Sequence, residues 1–186
     1  MELLSLSKTV KRVSRFLEPF PGYCWLAGGM IADTFLKRPF SDIDVFFPTV
    51  VEQMEAFLIL EEDGYTLVSE EEYHKKYRKG DLTYDIFYYN TNNPQDTIEL
   101  FGYQHCMAAV DSKGQFFSHP EYFDRLKDMR VVPHNLDNYL KGHRRWPVSV
   151  PRRLLKFLNK GYTIDNDDLI TVLQLCIDIQ DKKFTK

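Results

Sequence analysis

The stretch Leu26-Ala-Gly-Gly-Met-Ile-Ala-Asp-Thr-Phe-Leu-Lys-Arg-Pro-Phe-Ser-Asp-Ile-Asp-Val-Phe-Phe47 constrains the chain more than any other. An apolar run from Tyr23 to Ala27 meets Gly28-Gly29, helix-forming residues follow from Met30 to Lys37, and strand formers return from Asp42 to Phe47. This order predicts strand, glycine turn, helix, strand. Two glycines after a strand let the backbone turn sharply and approach a ligand closely, and amides at the start of the following helix can hold a phosphate oxygen. A Gly-Gly pair by itself is equally a plain turn.

Asp42 and Asp44 lie two apart, so on a strand their carboxylates emerge on one face while Ile43 and Val45 point to the other. Two like charges about 4 Å apart repel by about 4 kcal/mol at an effective dielectric near 20. The pair therefore calls for a cation between the acids or for a raised pKa, and its bland alternative is a solvated strand end. Asp85, in Leu82-Thr-Tyr-Asp-Ile-Phe-Tyr-Tyr89, sits on a second strand whose Leu82, Tyr84 and Ile86 alternate on the opposite face. If the two strands are neighbours, Asp42, Asp44 and Asp85 converge on a site for two Mg²⁺ ions, with Mn²⁺ as an alternative. Otherwise Asp85 is a solvated residue.

The remaining elements follow from period and punctuation. Leu6, Val10, Val13 and Leu17 mark an amphipathic opening helix closed by Pro19 and Pro21. Thr49 to Leu60 reads as a helix with Val50, Met54, Phe57 and Leu58 as its apolar side, followed by a strand from Tyr65 to Val68. Lys79-Gly80-Asp81 separates two strands with hairpin spacing, and Asp111-Ser112-Lys113-Gly114 marks a second such turn. From Pro133 onward the pattern is helical, over Asn135 to Arg145, Pro151 to Asn159 and Asp168 to Asp181. These elements predict an α+β fold, with a mixed-sheet head over residues 1–133 and a helical appendage over 134–186.

Composition bounds the alternatives. A chain of 186 residues with 44% hydrophobic and 15% aromatic residues has matter for a sizeable core and does not resemble a disordered chain. No run approaches a membrane span, and the N-terminus is broken by Ser, Lys and Arg before a secretory apolar region forms, so neither a span nor a signal peptide is expected. Three widely spaced cysteines predict reduced thiols and a cytoplasmic setting. A net charge of −3 excludes strong overall basicity. Locally, Lys141, Arg144, Arg145, Arg152, Arg153, Lys156 and Lys160 fall in a stretch without an acid, interleaved with Trp146 and Phe157. Cations for phosphates and rings for bases make an RNA-binding surface, the alternative being a solvated helical face.

Gly28-Gly29-x-Ile31-x-Asp33-x-x-Leu36 followed by Asp42-Ile43-Asp44-Val45 resembles the head-domain motif of the DNA polymerase β-like nucleotidyltransferases, nearest to bacterial CCA-adding enzymes and poly(A) polymerases. The resemblance implies that Gly28 and Gly29 bind a triphosphate, with Asp33, Lys37 and Arg38 in the same nucleotide-binding set. It implies metal-binding roles for Asp42 and Asp44, and Asp85 matches the superfamily's third acid. Arg152 to Ile164 is similar to the family's neck helix. Two positions depart from the pattern: Ala32 stands in place of an arginine, and Phe101-Gly102-Tyr103 in place of the Arg-Arg-Asp that reads the base. Two aromatics there can stack on a base without reading its edge. The implied protein is a minimal relative of the kind bacteriophages encode. It would transfer a nucleoside monophosphate from an NTP to an acceptor hydroxyl, taken first as an RNA 3′ end contacted by Arg144, Arg145, Arg152, Arg153 and Lys156. A protein or small-molecule acceptor, or a silent nucleotide- or RNA-binding module, are the alternatives.

Overall fold

The computed structural model describes residues 3–71, 74–87, 91–136 and 149–184. The fold is α+β. The chain forms two compact units, Met1–Ile98 with Cys106–His119, and Glu99–His105 with Pro120–Lys186.

The first unit carries a seven-stranded mixed sheet of β1 (Trp25–Ala27), β2 (Ile43–Phe46), β3 (Thr66–Glu70), β4 (His74–Lys79), β5 (Leu82–Phe87), β6 (Ala108–Asp111) and β7 (Phe116–Ser118), in the order β3-β4-β5-β2-β1-β6-β7. The pair β2–β5 is parallel and every other pair is antiparallel. Both hairpins form at the predicted turns. Gly80 supplies the positive φ of 58° for one, and the Asp111 carboxylate accepts from the backbone N–H groups of Lys113 and Gln115 in the other.

The opening helix α1 (Leu6–Ser14) continues into a 3₁₀ turn that buries Leu17, and α2 (Gly29–Phe35) follows the glycine turn. The helix α3 (Val50–Glu62) begins where predicted, its Thr49 hydroxyl accepting from the Glu52 N–H as an N-cap. Its buried side differs from the expected one. Gln53, Ala56 and Leu60 are buried, whereas Val50, Met54 and Leu58 are exposed. Apolar residues occupy both sides of this helix, so the period is ambiguous, and in the fold the stripe holding the small Ala56 is the one that faces inward. A short helix, α4 (Pro94–Ile98), is tied to β1 by a hydrogen bond from Trp25 Nε1 to Thr97 Oγ1 at 2.9 Å.

The second unit contains α5 (Tyr122–Lys127), α6 (Ser149–Asn159) and α7 (Asn166–Phe184). Met129 to Val131 run beside Thr163 through N–H···O bonds of 2.8 Å in each direction, just after the turn at Gly161 (φ 85°). Arg130 pairs with Asp165 and Asp168 on the same stretch. His105 lies between Phe157 and Tyr162, 4.2 and 4.6 Å between ring centres, with neither ring nitrogen hydrogen-bonded. Burial, reinforced by Lys160, pulls its pKa down to about 3.

The folded chain thus holds His105 neutral, and an unfolded histidine titrates near pH 6.5. The associated stability is fully present above about pH 6.5 and is lost as pH falls toward the folded value, at up to about 1.4 kcal/mol per pH unit. Urea midpoints measured at pH 7 and pH 5 should fall for the wild type, and His105→Phe should remove most of that fall.

Candidate active site

Asp42, immediately before β2, Asp44 on β2 and Asp85 on β5 come together on one face of the sheet. The parallel register pairs Asp44 with Asp85, and side chains in register project to the same side. On the other face Ile43, Val45, Tyr84 and Ile86 are in the core. Asp85 is itself buried, 6% exposed, so the solvated alternative for this acid does not hold.

A fourth member was missed in the sequence. In the β4–β5 hairpin Lys76 lies directly opposite Asp85. Lys76 Nζ sits 3.1 Å from Asp85 Oδ2 and 3.6 Å from Asp42 Oδ1. The signal was available: Lys79 faces Leu82 across the turn, and three steps back along each strand bring Lys76 opposite Asp85. Ser41 Oγ donates to the other oxygen of Asp42 at 2.9 Å. Beyond this charged row the same face carries a stack of Phe46, Phe87 and His74, with ring centres 4.9 and 5.2 Å apart.

The electrostatics follow from burial and pairing. Burial pushes the Asp85 carboxyl up while Lys76 pulls it back. Burial lowers the Lys76 ammonium, but the combined attraction of Asp85 and Asp42 outweighs this and raises it. Lys76 is therefore held charged.

Asp85 Oδ1 is buried without a hydrogen-bond partner. Hard carboxylate oxygens, one of them buried with its lone pairs unused, suit Mg²⁺ or Mn²⁺ by their chemistry. As the side chains stand, however, no group of three or more His, Cys, Asp or Glu among the described residues is gathered on a metal position. The cation that touches two of these acids is the ammonium of Lys76.

The glycine turn stands beside this row. Leu26 pairs with Val45, so the chain passes level with Asp44 as it leaves β1. Gly28 has φ 97° and ψ −152°, a conformation essentially restricted to glycine, and its N–H donates to the Ala108 carbonyl at 3.0 Å. A Cβ on Gly29 would meet nothing within 4 Å. Asp33 and Ala32 are buried on α2, and the Asp33 carbonyl accepts from the Arg38 N–H at 2.8 Å. Lys37, with φ 57°, is exposed and Arg38 is half-buried, both in the turn after that helix.

Arg152, Arg153 and Lys156 are exposed on α6. Arg144 and Arg145 lie outside the described residues, as does most of the helix expected from Asn135 to Arg145. Tyr103 cannot serve as a stacking platform for a base: it is buried, and its hydroxyl donates to the Val150 carbonyl at 3.1 Å.

Comparison with known proteins gives a family and a fold. The family model described as "Gabija anti-defense 2 family protein" matches residues 6–128. The curated protein "Gabija anti-defense 2" of Bacillus phage SPbetaL7 is 25% identical over 158 residues, covering 83% of this chain and 37% of its own length. The chain thus spans little more than a third of that relative. Among solved structures, the Thermotoga maritima CCA-adding enzyme complexed with tRNA is similar with a TM-score of 0.63 at 14% identity, over 98% of this chain and 47% of that one. A CCA-adding enzyme with CTP gives a TM-score of 0.62 at 14% identity, over 100% of this chain and 48% of that one. A tRNA nucleotidyltransferase complexed with a primer tRNA and an incoming ATP analog gives 0.57 at 13% identity, over 90% and 50%. These likenesses are of fold, and the chain spans about half of each structure. No described helix is long and apolar enough to cross a membrane.

The two glycines should respond differently to substitution. Gly28→Ala forces alanine into the glycine-only conformation and should cost about 1–3 kcal/mol in urea unfolding. Gly29→Ala, with open space above it, should stay within about 1 kcal/mol of the wild type.

Proposed function

The chain belongs to the Gabija anti-defense 2 family, and from that premise we propose that it counters a host defence as a metal-dependent nucleotidyltransferase. The observation that carries this reading is the acid row Asp42, Asp44 and Asp85, held beside the Gly28-Gly29 turn by the β1–β2–β5 register. The fold shared with CCA-adding enzymes supports the reaction class as an analogy of fold, and the finer relation to CCA-adding enzymes and poly(A) polymerases is part of this proposal.

In the proposed reaction an acceptor hydroxyl attacks the α-phosphorus of an NTP. The new O–Pα bond forms as the Pα–O bond to the β-phosphate breaks, and pyrophosphate leaves. Asp42, Asp44 and Asp85 would hold Mg²⁺ or Mn²⁺, two ions in the fullest form of the site, which would offset the charge of the triphosphate and of the departing pyrophosphate. Asp85 Oδ1, buried and without a hydrogen-bond partner, would take the acceptor proton, a role suited to a carboxylate that burial makes more basic. Gly28 and the open approach at Gly29 would let the backbone come close to the β- and γ-phosphates, with Asp33, on the helix that follows, and Lys37 and Arg38, in the turn beyond it, completing the nucleotide-binding set.

An RNA 3′ end is the acceptor favoured by the exposed Arg152, Arg153 and Lys156 on α6, a helix without an acidic residue, and Arg144 and Arg145 extend this basic stretch in sequence. A second acceptor, a protein of the defence system itself, is favoured by family membership.

The test is incubation with each α-labelled NTP, Mg²⁺, and either total RNA or purified Gabija proteins. Label should appear on one acceptor and fall at least about 100-fold in Asp44→Ala. Absence of label on both, with wild type and variant alike, would end the enzymatic reading. With RNA as acceptor, Arg152→Glu should raise KM and leave kcat nearly unchanged. Gly29→Ala should weaken NTP binding by about tenfold in calorimetry without altering the unfolding midpoint.

A further inference from the structure

The side chain of Lys76 stands among the acids and has no role in the proposed reaction. Its Nζ lies on the acid face of the sheet, within 3.1 Å of Asp85 Oδ2 and 3.6 Å of Asp42 Oδ1. It arrives there by backbone register, three residues back from the hairpin turn, so it is held by β4 itself. Three carboxylates in one row repel one another, and a cation among them offsets part of that repulsion whether it is an ion from solution or a tethered ammonium. The second oxygen of Asp85 is buried and without a hydrogen-bond partner, so the row retains an acceptor that Lys76 does not satisfy.

We propose that Lys76 is the resident cation of this acid row, filling the position between Asp42 and Asp85, so that a divalent ion shared by these two acids enters only by displacing Nζ. The inference rests on the reading that the acid row takes divalent ions, and it makes Lys76 a positioning residue that sets metal affinity. Metal binding at that position is then an exchange between a monovalent, tethered charge and a divalent, free one. The thermodynamic consequence is weak metal binding by the protein alone, with a triphosphate, itself an anion able to receive the displaced ammonium, favouring the exchange.

The experiment measures Mn²⁺ binding by electron paramagnetic resonance and thermal unfolding with and without Mn²⁺, on the wild type, Lys76→Met and Lys76→Arg. Lys76→Met should bind Mn²⁺ at least about tenfold more tightly than the wild type. It should unfold at a lower temperature without metal, and Mn²⁺ should restore most of that loss. Lys76→Arg, which keeps the charge, should bind as weakly as the wild type. Equal affinity in wild type and Lys76→Met would overturn the proposal, as would tight binding by Lys76→Arg. A loss of stability in Lys76→Met that Mn²⁺ does not recover would reduce Lys76 to a structural ion pair and would overturn it too. If Lys76→Met is unfolded without metal, folding on Mn²⁺ addition supports the proposal and failure to fold at saturating Mn²⁺ sinks it. These readouts involve no nucleotide transfer. Tight Mn²⁺ binding by Lys76→Met with no labelling by any form keeps the inference and removes the enzyme. Labelling by the wild type with equal Mn²⁺ affinities does the reverse.

Discussion

The parallel pairing of β2 with β5 is the constraint on which the candidate site depends. It aligns Asp44 with Asp85 and at the same time Ile43 with Tyr84 and Val45 with Ile86. A slip of one residue would turn Asp85 into the core and bring Ile86 to the acid face, which the buried row of Ile43, Val45, Tyr84 and Ile86 does not permit. The apolar face thus fixes the geometry of the polar one. The β4–β5 hairpin adds a second constraint of the same kind, because the turn at Gly80 sets which residue of β4 stands across from Asp85. Packing on one side and a turn on the end together decide that a lysine meets two aspartates.

Much of this was legible in the chain. The segment from β1 through the glycine turn and α2 to β2 follows local rules, and both hairpins carry their turn residues in sequence. What a sequence does not print is adjacency. Asp85 could be recognised as an acid on an apolar strand, but its place beside Asp44 required the sheet order, which threads β5 next to β2 across an intervening helix and hairpin. The face of α3 was misread for a different reason: apolar residues surround that helix, and burial selected the side with Ala56. Tyr103 was misread because an aromatic residue at a position where relatives carry polar side chains suggests a surface, whereas here it fills the second unit and bonds the Val150 carbonyl. Lys76 was legible and passed over, because lysine on an exposed-looking strand is ordinarily solvated.

Family and fold point in complementary directions. The family match places the chain among proteins described by what they defeat, and the structural likeness gives it a fold that is shared with proteins described by what they catalyse. A fold hosts many activities, so the second cannot be carried over whole. The changes at the family-specific positions are consistent with that. Ala32 is buried on α2 with no capacity to brace a phosphate loop, and the segment corresponding to the base-reading triplet presents a buried tyrosine. The first removes a support of the phosphate loop and the second removes base reading, while the acid row and the glycine turn, which the proposed reaction uses for metal and phosphate, are present.

That asymmetry bears on selectivity. Discriminating one base from another requires hydrogen-bond partners that go unmatched with the wrong base, and loss of those partners relaxes the choice of nucleotide without touching phosphoryl chemistry. In the proposed reaction, a site without base reading would suit a target defined by the acceptor. The cation that Lys76 supplies fits the same logic. If the charge of the acid row is partly offset when the protein is alone, metal would enter preferentially with the anionic substrate. Selectivity would then reside in what the protein holds next to the phosphate rather than in which base the phosphate carries.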